Sequence, residues 1–329
     1  MKLNAYCLDW HIASSNAFID MLVEPLNSYA DINLVAWNGE DVPPEALEQK
    51  IVIFCMLPPS DKFLKTYRGK VVWLPMWDQA QGYEQEWWNN LPKNVYVVGF
   101  SKPVRQKAKN AGLQLVSLQY FKNPRGLPPA KWSDGGIIFY WNRTGMIGPT
   151  FLEKFCTAVG AREIYFLGQI DPRIESNKYY ELYGKLGNTR VINIKPASQN
   201  SFLNTTSKAN IVIAPRTSEG VGMTFLEAMA RGCGVLAYDA PTMNEYIKHE
   251  RNGLLLHNKR YGIFDNLFGR SNSDSHSGTP YYLSDDQPWN KIASVNFERL
   301  GQNARAEHVL GFNQWQESIP KYAEFVLKV

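Results

Sequence analysis

The sequence predicts an α/β protein made of two domains, each built on a parallel sheet that helices cover on both faces. Short, continuous apolar runs alternate with longer amphipathic segments, which is the pattern of strands buried on both faces. The alternation stops at a proline-rich segment and then begins again. The length of 329 residues exceeds what one core comfortably organises, so one large or two medium-sized domains are expected.

The first domain is predicted to span residues 1–121. Its apolar runs predict strands at Leu3–Leu8, Ile32–Trp37, Ile51–Leu57, Val71–Pro75, Val95–Gly99 and Leu115–Leu118. Amphipathic segments predict helices at Asn16–Tyr29 and Lys102–Ala111. The second of these helices follows Ser101 as N-cap and carries Pro103 in its first turn.

Residues 122–134 (KNPRGLPPAKWSD) contain three prolines and one glycine with little periodicity, which predicts a linker. The second domain is predicted at residues 135–312. Its strands are expected at Gly136–Trp141, Glu163–Leu167, Arg190–Ile194, Asn210–Ala214 and Val235–Tyr238. Its helices are expected at Thr150–Val159, Asn177–Leu186, Ser198–Lys208, Thr224–Arg231 and Met243–His249. The tail from Phe297 to Val329 is helical in pattern, with interruptions expected near Gly311 and Pro320.

Two such domains joined by a hinge imply a central cleft between them, because open α/β sheets bind ligands at the carboxyl ends of their strands. The net charge of +4 gives no strong case for nucleic acid. The four cysteines lie singly in apolar runs and predict buried, reduced thiols of a cytoplasmic protein. The N-terminus lacks the pattern of a signal peptide, and the longest apolar run, Ile51–Leu57, is too short to span a bilayer. We therefore expect a cytoplasmic protein, at most peripheral to a membrane.

The stretch SEGVGMTFLEAMARGCGV, residues 218–235, places two glutamates on either side of a glycine-rich turn. Gly220 and Gly222 remove side chains where the chain turns, so that backbone N–H groups are able to approach an anion. The helix that Thr224 opens points its unpaired N–H groups and positive dipole end the same way. A phosphate or diphosphate would fit this turn, with Glu219 at its edge and Glu227 one helical turn further on.

A structural explanation stands beside this one. Residues 224–227 read T-x-x-E, the pattern of a capping box, in which Glu227 serves only to start the helix. Glu219, taken alone, is more typical of a solvated loop residue. The combination of strand, glutamate, two glycines, helix and second glutamate favours a binding site.

The stretch from Glu219 to Leu255 resembles the signature of retaining GT-B glycosyltransferases, and is most similar to glycosyltransferase family 4. Glu219 and Glu227 match the Glu–seven residues–Glu motif of that family. The usual continuation is met at Leu226–Ala230, Gly232, Val235–Ala237, Glu245 and Asn252–Leu255. Gly234 stands where proline is usual, and the first domain matches only in architecture.

The resemblance implies a GT-B fold, with two Rossmann-like domains facing a central cleft. It implies that Glu219 contacts the hydroxyls of the donor sugar near the reaction centre and that Glu227 binds the ribose hydroxyls. The turn between them, Gly220, Val221, Gly222, Met223 and Thr224, would hold the diphosphate. It also implies that the last helix, residues 313–329, returns to the first domain.

Families of this kind place an arginine, and often a lysine, after the first strand of the second domain. Arg143 matches the arginine in position, or it is only a surface residue, and the usual lysine is absent. Arg216 or Lys195, each at the end of a predicted strand, could replace that lysine. A leaving diphosphate needs compensating positive charge. Because no DxD motif stands in a suitable loop, we expect neither a metal ion nor a cofactor.

The sequence identifies the residues that bind the acceptor less specifically than those that bind the donor. The family's usual Gly-Gly loop is absent after the first strand, where the sequence reads DWHIASSN. Asp9, His11 and Ser14 in this segment are placed to face the cleft. For His11, a capping or buried, hydrogen-bonded histidine is the alternative.

Asp78 follows the fourth strand, in the segment PMWDQAQGY. Its aromatic neighbours Trp77 and Tyr83 suit a carbohydrate, whose C–H faces stack on rings while its hydroxyls bind a carboxylate. A turn aspartate is the alternative for Asp78.

The resemblance implies transfer of a sugar from a nucleotide diphosphate sugar to a glycan or lipid-linked saccharide with retention of configuration, in cell-surface polysaccharide synthesis. The alternatives are a nucleotide-sugar epimerase of the same fold and a catalytically silent nucleotide-sugar binding subunit. A phosphorylase would need a lysine for pyridoxal phosphate, and no positioned candidate is evident. Basic and aromatic residues in the first domain further suggest peripheral contact with the inner face of a membrane.

Overall fold

The computed structural model describes residues 1–142, 147–168, 181–195, 199–214, 216, 218–257, 281–282 and 289–328. By internal packing the chain divides into two units. Unit 1 comprises Met1–Lys122, Ser218–Met223 and Leu310–Val329, and unit 2 comprises Asn123–Thr217 and Thr224–Val309. The segment Ser218–Met223, which is predicted to belong to the second domain, packs with unit 1.

Unit 1 is built on a parallel sheet with the strand order β2-β1-β3-β4-β5-β6. The strands are β1 (Lys2–Leu8), β2 (Asp31–Trp37), β3 (Ile51–Cys55), β4 (Lys70–Leu74), β5 (Val95–Gly99) and β6 (Gln114–Ser117). All six correspond to predicted strands. Every residue of β3 and β4 is buried, which is why these strands read as continuous apolar runs. The order reverses between β1 and β3, and this switch point is where an open α/β sheet offers a crevice.

The helices of unit 1 are mostly short. They are α1 (Asp9–Ser14), α2 (Glu24–Leu26), α3 (Asp61–Thr66), α4 (Trp77–Ala80), α5 (Gln85–Asn89) and α6 (Lys102–Asn110), with a 3₁₀ turn at Pro44–Glu48. The helix predicted over Asn16–Tyr29 is present and continuous over residues 17–26, but it winds as a π-helix at Ile19–Val23 before α2. Pro25 has no N–H to donate to the carbonyl of Met21, which explains the irregular winding before it. Ser101 holds the N-cap position of α6, but its side chain forms no capping hydrogen bond.

Unit 2 is built on a sheet with the order β14-β13-β12-β11-β7-β8-β10-β9. The strands are β7 (Gly136–Trp141), β8 (Ala161–Leu167), β9 (Lys185–Leu186), β10 (Thr189–Asn193), β11 (Ile211–Ala214), β12 (Gly234–Tyr238), β13 (Leu254–His257) and β14 (Tyr281–Tyr282). Only the β9–β10 pair of these strands is antiparallel. The switch point lies between β7 and β11, where Ile138 pairs with Ile211.

Three strands of unit 2 were not predicted, namely β9, β13 and β14. The predicted helix over Asn177–Leu186 was wrong at its end, because Lys185–Leu186 forms β9 against β10; its start lies outside the described residues. The described helices are α7 (Pro149–Ala158), α8 (Gln199–Thr206), α9 (Met223–Arg231), α10 (Met243–Tyr246) and α11 (Trp289–Ala293). The helix predicted to reach His249 ends at Tyr246, because His249 instead bridges to Gly253 and accepts the Leu255 N–H on Nδ1.

The C-terminal helix α12 runs without a break over Phe297–Leu327. The expected interruptions at Gly311 and Pro320 were therefore wrong. Gly311 is a packing position, because a Cβ on it would collide with the ring of Phe121 in unit 1. Gly301 has the same role in unit 2, where its Cβ would collide with the carbonyl of Gly232.

Cys7, Cys55, Cys156 and Cys233 are all buried and free of disulfides, as predicted. None of the described helices has the length and apolar character needed to cross a bilayer.

Candidate active site

In unit 2 the predicted site residues follow the two strands that flank the switch point. β7 ends at Trp141, and β11 ends at Ala214 with Arg216 close behind it. Arg216 is half-buried. Arg143, two residues after β7, lies outside the described residues, and its role stays a prediction.

The glycine-rich turn leads directly into α9. Val221 is buried within this turn, whereas Glu219 is half-buried. Gly222 has a φ of 85°, in the left-handed region that favours glycine. The helix begins at Met223, one residue before its predicted start at Thr224. The N–H groups of its first turn therefore follow immediately after the glycines, and the capping box of Thr224 and Glu227 stays a prediction.

Within unit 1 this turn packs against the end of β4. A Cβ placed on Gly220 would lie 2.9 Å from Cβ of Met76 and 3.1 Å from Oδ1 of Asp78. Glycine is required here because no larger residue leaves room for this approach. The structure thus brings together a residue predicted for the acceptor side, Asp78, and the turn predicted for the donor diphosphate.

Glu227 lies on α9 in unit 2, where it lines a cavity of about 200 Å³. The floor of the cavity is formed by Phe139 and Val212 of the sheet, and Phe202 of α8 lines its side. Thr224 lies on the same wall as Glu227. The lining is mixed, since the apolar side chains of the sheet and of Phe202 stand beside the charged Glu227 and Arg231.

The two candidate cations of unit 2 that the structure describes, Lys195 and Arg216, differ in their surroundings. Lys195 follows β10, is exposed, and forms an ion pair of 2.7 Å with Oε1 of Glu181. Arg216 follows β11 and is half-buried. Of the two, Arg216 stands next to a strand of the switch point, which favours it as a partner for an anion there.

Asp9 and His11 lie on α1, directly after β1 and therefore at the switch point of unit 1. Asp9 is exposed and its Oδ1 accepts the N–H of Trp10 at 2.6 Å. The His11 ring is half-buried, with its centroid 5.2 Å from the Trp10 ring and 5.0 Å from the Phe18 ring. The side chain of Ser14 lies outside what the structure describes.

Trp77 and Tyr83, the aromatic neighbours predicted to bind a carbohydrate beside Asp78, are both partly buried against the core of unit 1. The ring of Tyr83 stacks on Trp87 at a centroid distance of 4.3 Å, and burial raises the pKa of its hydroxyl. Trp87 thus occupies one face of the Tyr83 ring, and a sugar contact of this ring stays a prediction. Trp77, adjacent to Asp78 on α4, is half-buried against the same core.

Among the described residues, no group of three or more His, Cys, Asp or Glu side chains is arranged to hold a metal ion.

Comparison with known proteins connects this geometry to a family. A sequence profile of the Glycosyl transferases group 1 family matches residues 170–263, which include the glycine-rich turn, Glu219 and Glu227. No curated protein sequence matches the chain.

Three solved structures illustrate the likeness in fold. A sucrose-phosphate synthase from Thermosynechococcus elongatus has a TM-score of 0.65 at 13% identity, covering 98% of each chain. Anabaena HepE in complex with UDP has a TM-score of 0.59 at 12% identity, covering 98% of this chain and 100% of HepE. A glycosyltransferase from Rickettsia africae ESF-5 has a TM-score of 0.56 at 14% identity, covering 99% of both chains. HepE has also been solved in complex with UDP-glucose.

The protein therefore has a GT-B fold, as predicted. The profile match over the glycine-rich turn supports a glycosyltransferase that uses a nucleotide sugar.

Proposed function

We propose that this protein transfers a sugar from a nucleotide diphosphate sugar to a saccharide or lipid-linked saccharide with retention of configuration, in the synthesis of a cell-surface polysaccharide. The observation that carries the proposal is the run of Glu219, glycine-rich turn, α9 and Glu227 inside the matched residues 170–263. A glycine turn followed by a helix N-terminus supplies backbone donors for a diphosphate. Two carboxylates at its ends supply acceptors for the hydroxyls of a sugar and a ribose.

In this proposal each part of the segment has one task. The N–H groups of the turn and of Met223 and Thr224 bind the diphosphate, and the positive end of α9 stabilises the charge that develops as it leaves. Glu219 binds hydroxyls of the donor sugar near the reaction centre. Glu227 binds the ribose hydroxyls.

The remaining charge of the leaving group is assigned to cationic side chains. Arg143 and Arg216 are the primary candidates because they follow β7 and β11, the strands of the switch point. Lys195 is a further candidate, already paired with Glu181. Because two such groups would compensate a leaving diphosphate, we propose a reaction that requires no metal ion and no cofactor.

On the acceptor side, the contact with Gly220 supports a role for Asp78. This carboxylate lies beside the turn that directly follows Glu219. We assign it to an acceptor hydroxyl. Asp9, His11 and Ser14 after β1 would contribute to the same acceptor site.

The donor is best sought first among uridine nucleotides, since HepE has been solved with UDP and with UDP-glucose. The decisive experiment measures binding of UDP-, GDP- and dTDP-sugars and then follows the anomeric proton during transfer by NMR. Retention of the anomeric configuration in a transferred sugar would support the proposal. Epimerisation of the donor without acceptor would favour the epimerase, and binding without turnover would favour the silent subunit. Failure to bind any nucleoside diphosphate would contradict all three.

A cytoplasmic location at the inner membrane face is proposed for the same enzyme. Helix α6 carries Lys102 and Lys109 on its exposed side, and Lys93 lies exposed just before β5. Such cations attract anionic headgroups and lose that attraction as salt increases. Sedimentation with vesicles that contain phosphatidylserine at low salt, and none with phosphatidylcholine alone, is the expected result. No sedimentation at any salt concentration would contradict it.

A further inference from the structure

Arg231, the last residue of α9, is buried with a relative exposure of 6%. Its guanidinium donates to four backbone carbonyls of unit 2. Nε donates to Pro128 at 3.1 Å, Nη1 to Thr206 at 2.8 Å, and Nη2 to Ser207 at 2.6 Å and Ala209 at 3.0 Å. The main chain adds a bond, because the Ala130 N–H donates to the Arg231 carbonyl at 2.8 Å.

These partners explain how a buried cation is tolerated. The carbonyls of Thr206 and Ser207 belong to the C-terminal end of α8, where unsatisfied carbonyls and the helix dipole favour a positive charge. The other two carbonyls belong to Pro128 of the linker and to Ala209 just before β11, so within the described part of the chain the guanidinium donates to backbone carbonyls. The planar fork of arginine satisfies several carbonyls at once, which the compact ammonium of lysine does not do.

Arg231 lies one helical turn from Glu227, four residues on, so both side chains project from the same face of α9. Both line the cavity of about 200 Å³ between α8 and α9, together with Thr206 and Ser207. Arg231 crosses from α9 to the end of α8 and holds the two helices at their observed separation.

We propose that Arg231 is a positioning residue, which acts on the donor nucleotide through Glu227 by fixing α9 against α8 and the linker at Pro128. This role rests on the proposed function. It differs from general stabilisation in one respect. Loss of the Arg231 hydrogen bonds should weaken nucleotide binding only in a protein that still has Glu227, because the effect comes from a displaced Glu227 carboxylate.

A double-mutant cycle tests this coupling. Arg231→Lys keeps the charge but loses the fork, and it should weaken binding of the nucleoside diphosphate about tenfold, with a rise in donor KM and a smaller change in kcat. In the Glu227→Gln background the same change should weaken binding less than about twofold, because the coupled contact is already lost. The matched control is Arg105→Lys in unit 1, which removes the bond from Nη1 to the Leu118 carbonyl at 2.9 Å and should leave nucleotide binding unchanged.

Hydrogen exchange on the ligand-free protein separates this inference from the proposed function. Arg231→Lys should speed exchange at the end of α8 and along α9, whether or not a nucleotide binds. If the variant does not fold, Arg231→Met, which removes the buried charge, takes its place. Unchanged exchange, or equal losses of affinity with and without the Glu227 carboxylate, would overturn the inference. A wild-type protein that binds no nucleoside diphosphate would contradict the proposed function and with it the action on a nucleotide, while faster exchange on substitution would still show that Arg231 fixes α9 against α8.

Discussion

Asp78 and Gly220 lie in contact, with Oδ1 of Asp78 only 3.1 Å from the position that a Cβ on Gly220 would occupy. The two residues come from distant parts of the chain, one after β4 and the other in the turn before α9. Their contact gives Gly220 a packing role in addition to the backbone access that the sequence predicts. It also sets a carboxylate beside the turn that would hold the donor diphosphate.

Gly220→Ala should therefore destabilise the protein. The new methyl group meets Met76 and Asp78 at distances too short for an ordinary Cβ, and overpacking of this kind costs about 1–3 kcal/mol. Urea unfolding measures the loss. Gly82→Ala is the matched control, since its Cβ would meet nothing closer than the Gln79 carbonyl at 3.8 Å. Equal stabilities of the two variants would mean that the turn moves away from Asp78 without cost.

Asp78→Asn should impair the use of the acceptor without changing the binding of the donor. The amide keeps the shape of the side chain but removes its charge, and a hydrogen bond to a charged group is worth about 1.5–3 kcal/mol. We expect kcat/KM for the acceptor to fall at least about tenfold while the Kd of the nucleoside diphosphate stays the same. The exposed Asp41→Asn is the control and should retain full activity. A weakened Kd in Asp78→Asn would instead place this carboxylate on the donor.

The sequence predicts the central strands well because they are parallel and buried on both faces, as β3, β4 and β11 are. It fails for β9 and β14, whose two residues each are too few to show a period. Within Asn16–Tyr29 the sequence predicts the helix but not its π-helical winding at Ile19–Val23, just before Pro25.

The glycine-rich turn and its two glutamates could be identified from the sequence because they are contiguous. The contact of Asp78 with Gly220 could not, since it depends on how remote segments pack. Arg231 was missed for a similar reason. Its position four residues after Glu227 was visible, but an arginine at a helix end is ordinarily a surface residue that complements the dipole.

Gly301→Ala tests the close packing of α12. Alanine favours a helix over glycine by about 1 kcal/mol, so the substitution would stabilise an exposed position. Here the new Cβ collides with the carbonyl of Gly232, a backbone atom that moves only if its turn moves. We expect the collision to dominate, with a net loss of about 2 kcal/mol in thermal or urea unfolding. Asn313→Ala, exposed on the same helix, should be neutral or slightly stabilising, and a similar result for Gly301→Ala would contradict the packing argument.

Lys70 makes the stability of unit 1 depend on pH. It is buried at the start of β4, and its Nζ donates to the carbonyls of Phe325 and Lys328 at the end of α12, 4.2 Å from the centre of the Tyr96 ring. Burial lowers its pKa from 10.5 to about 8. Between these values the unfolded chain binds more protons than the folded one, so the contribution of Lys70 to stability rises with pH across this window.

The measurement compares urea unfolding of the wild type and of Lys70→Met from pH 7 upwards. The contributions of all other titratable groups to the pH dependence are common to both proteins and cancel in the difference. The stability of the wild type relative to the variant should rise by about 1 kcal/mol per pH unit once the pH exceeds the folded pKa of Lys70. Below that pH the difference should be flat, because the lysine is then protonated in both states. The opposite slope would mean that the two carbonyls and the Tyr96 ring stabilise the ammonium by more than burial disfavours it, which would place the folded pKa of Lys70 above its ordinary value.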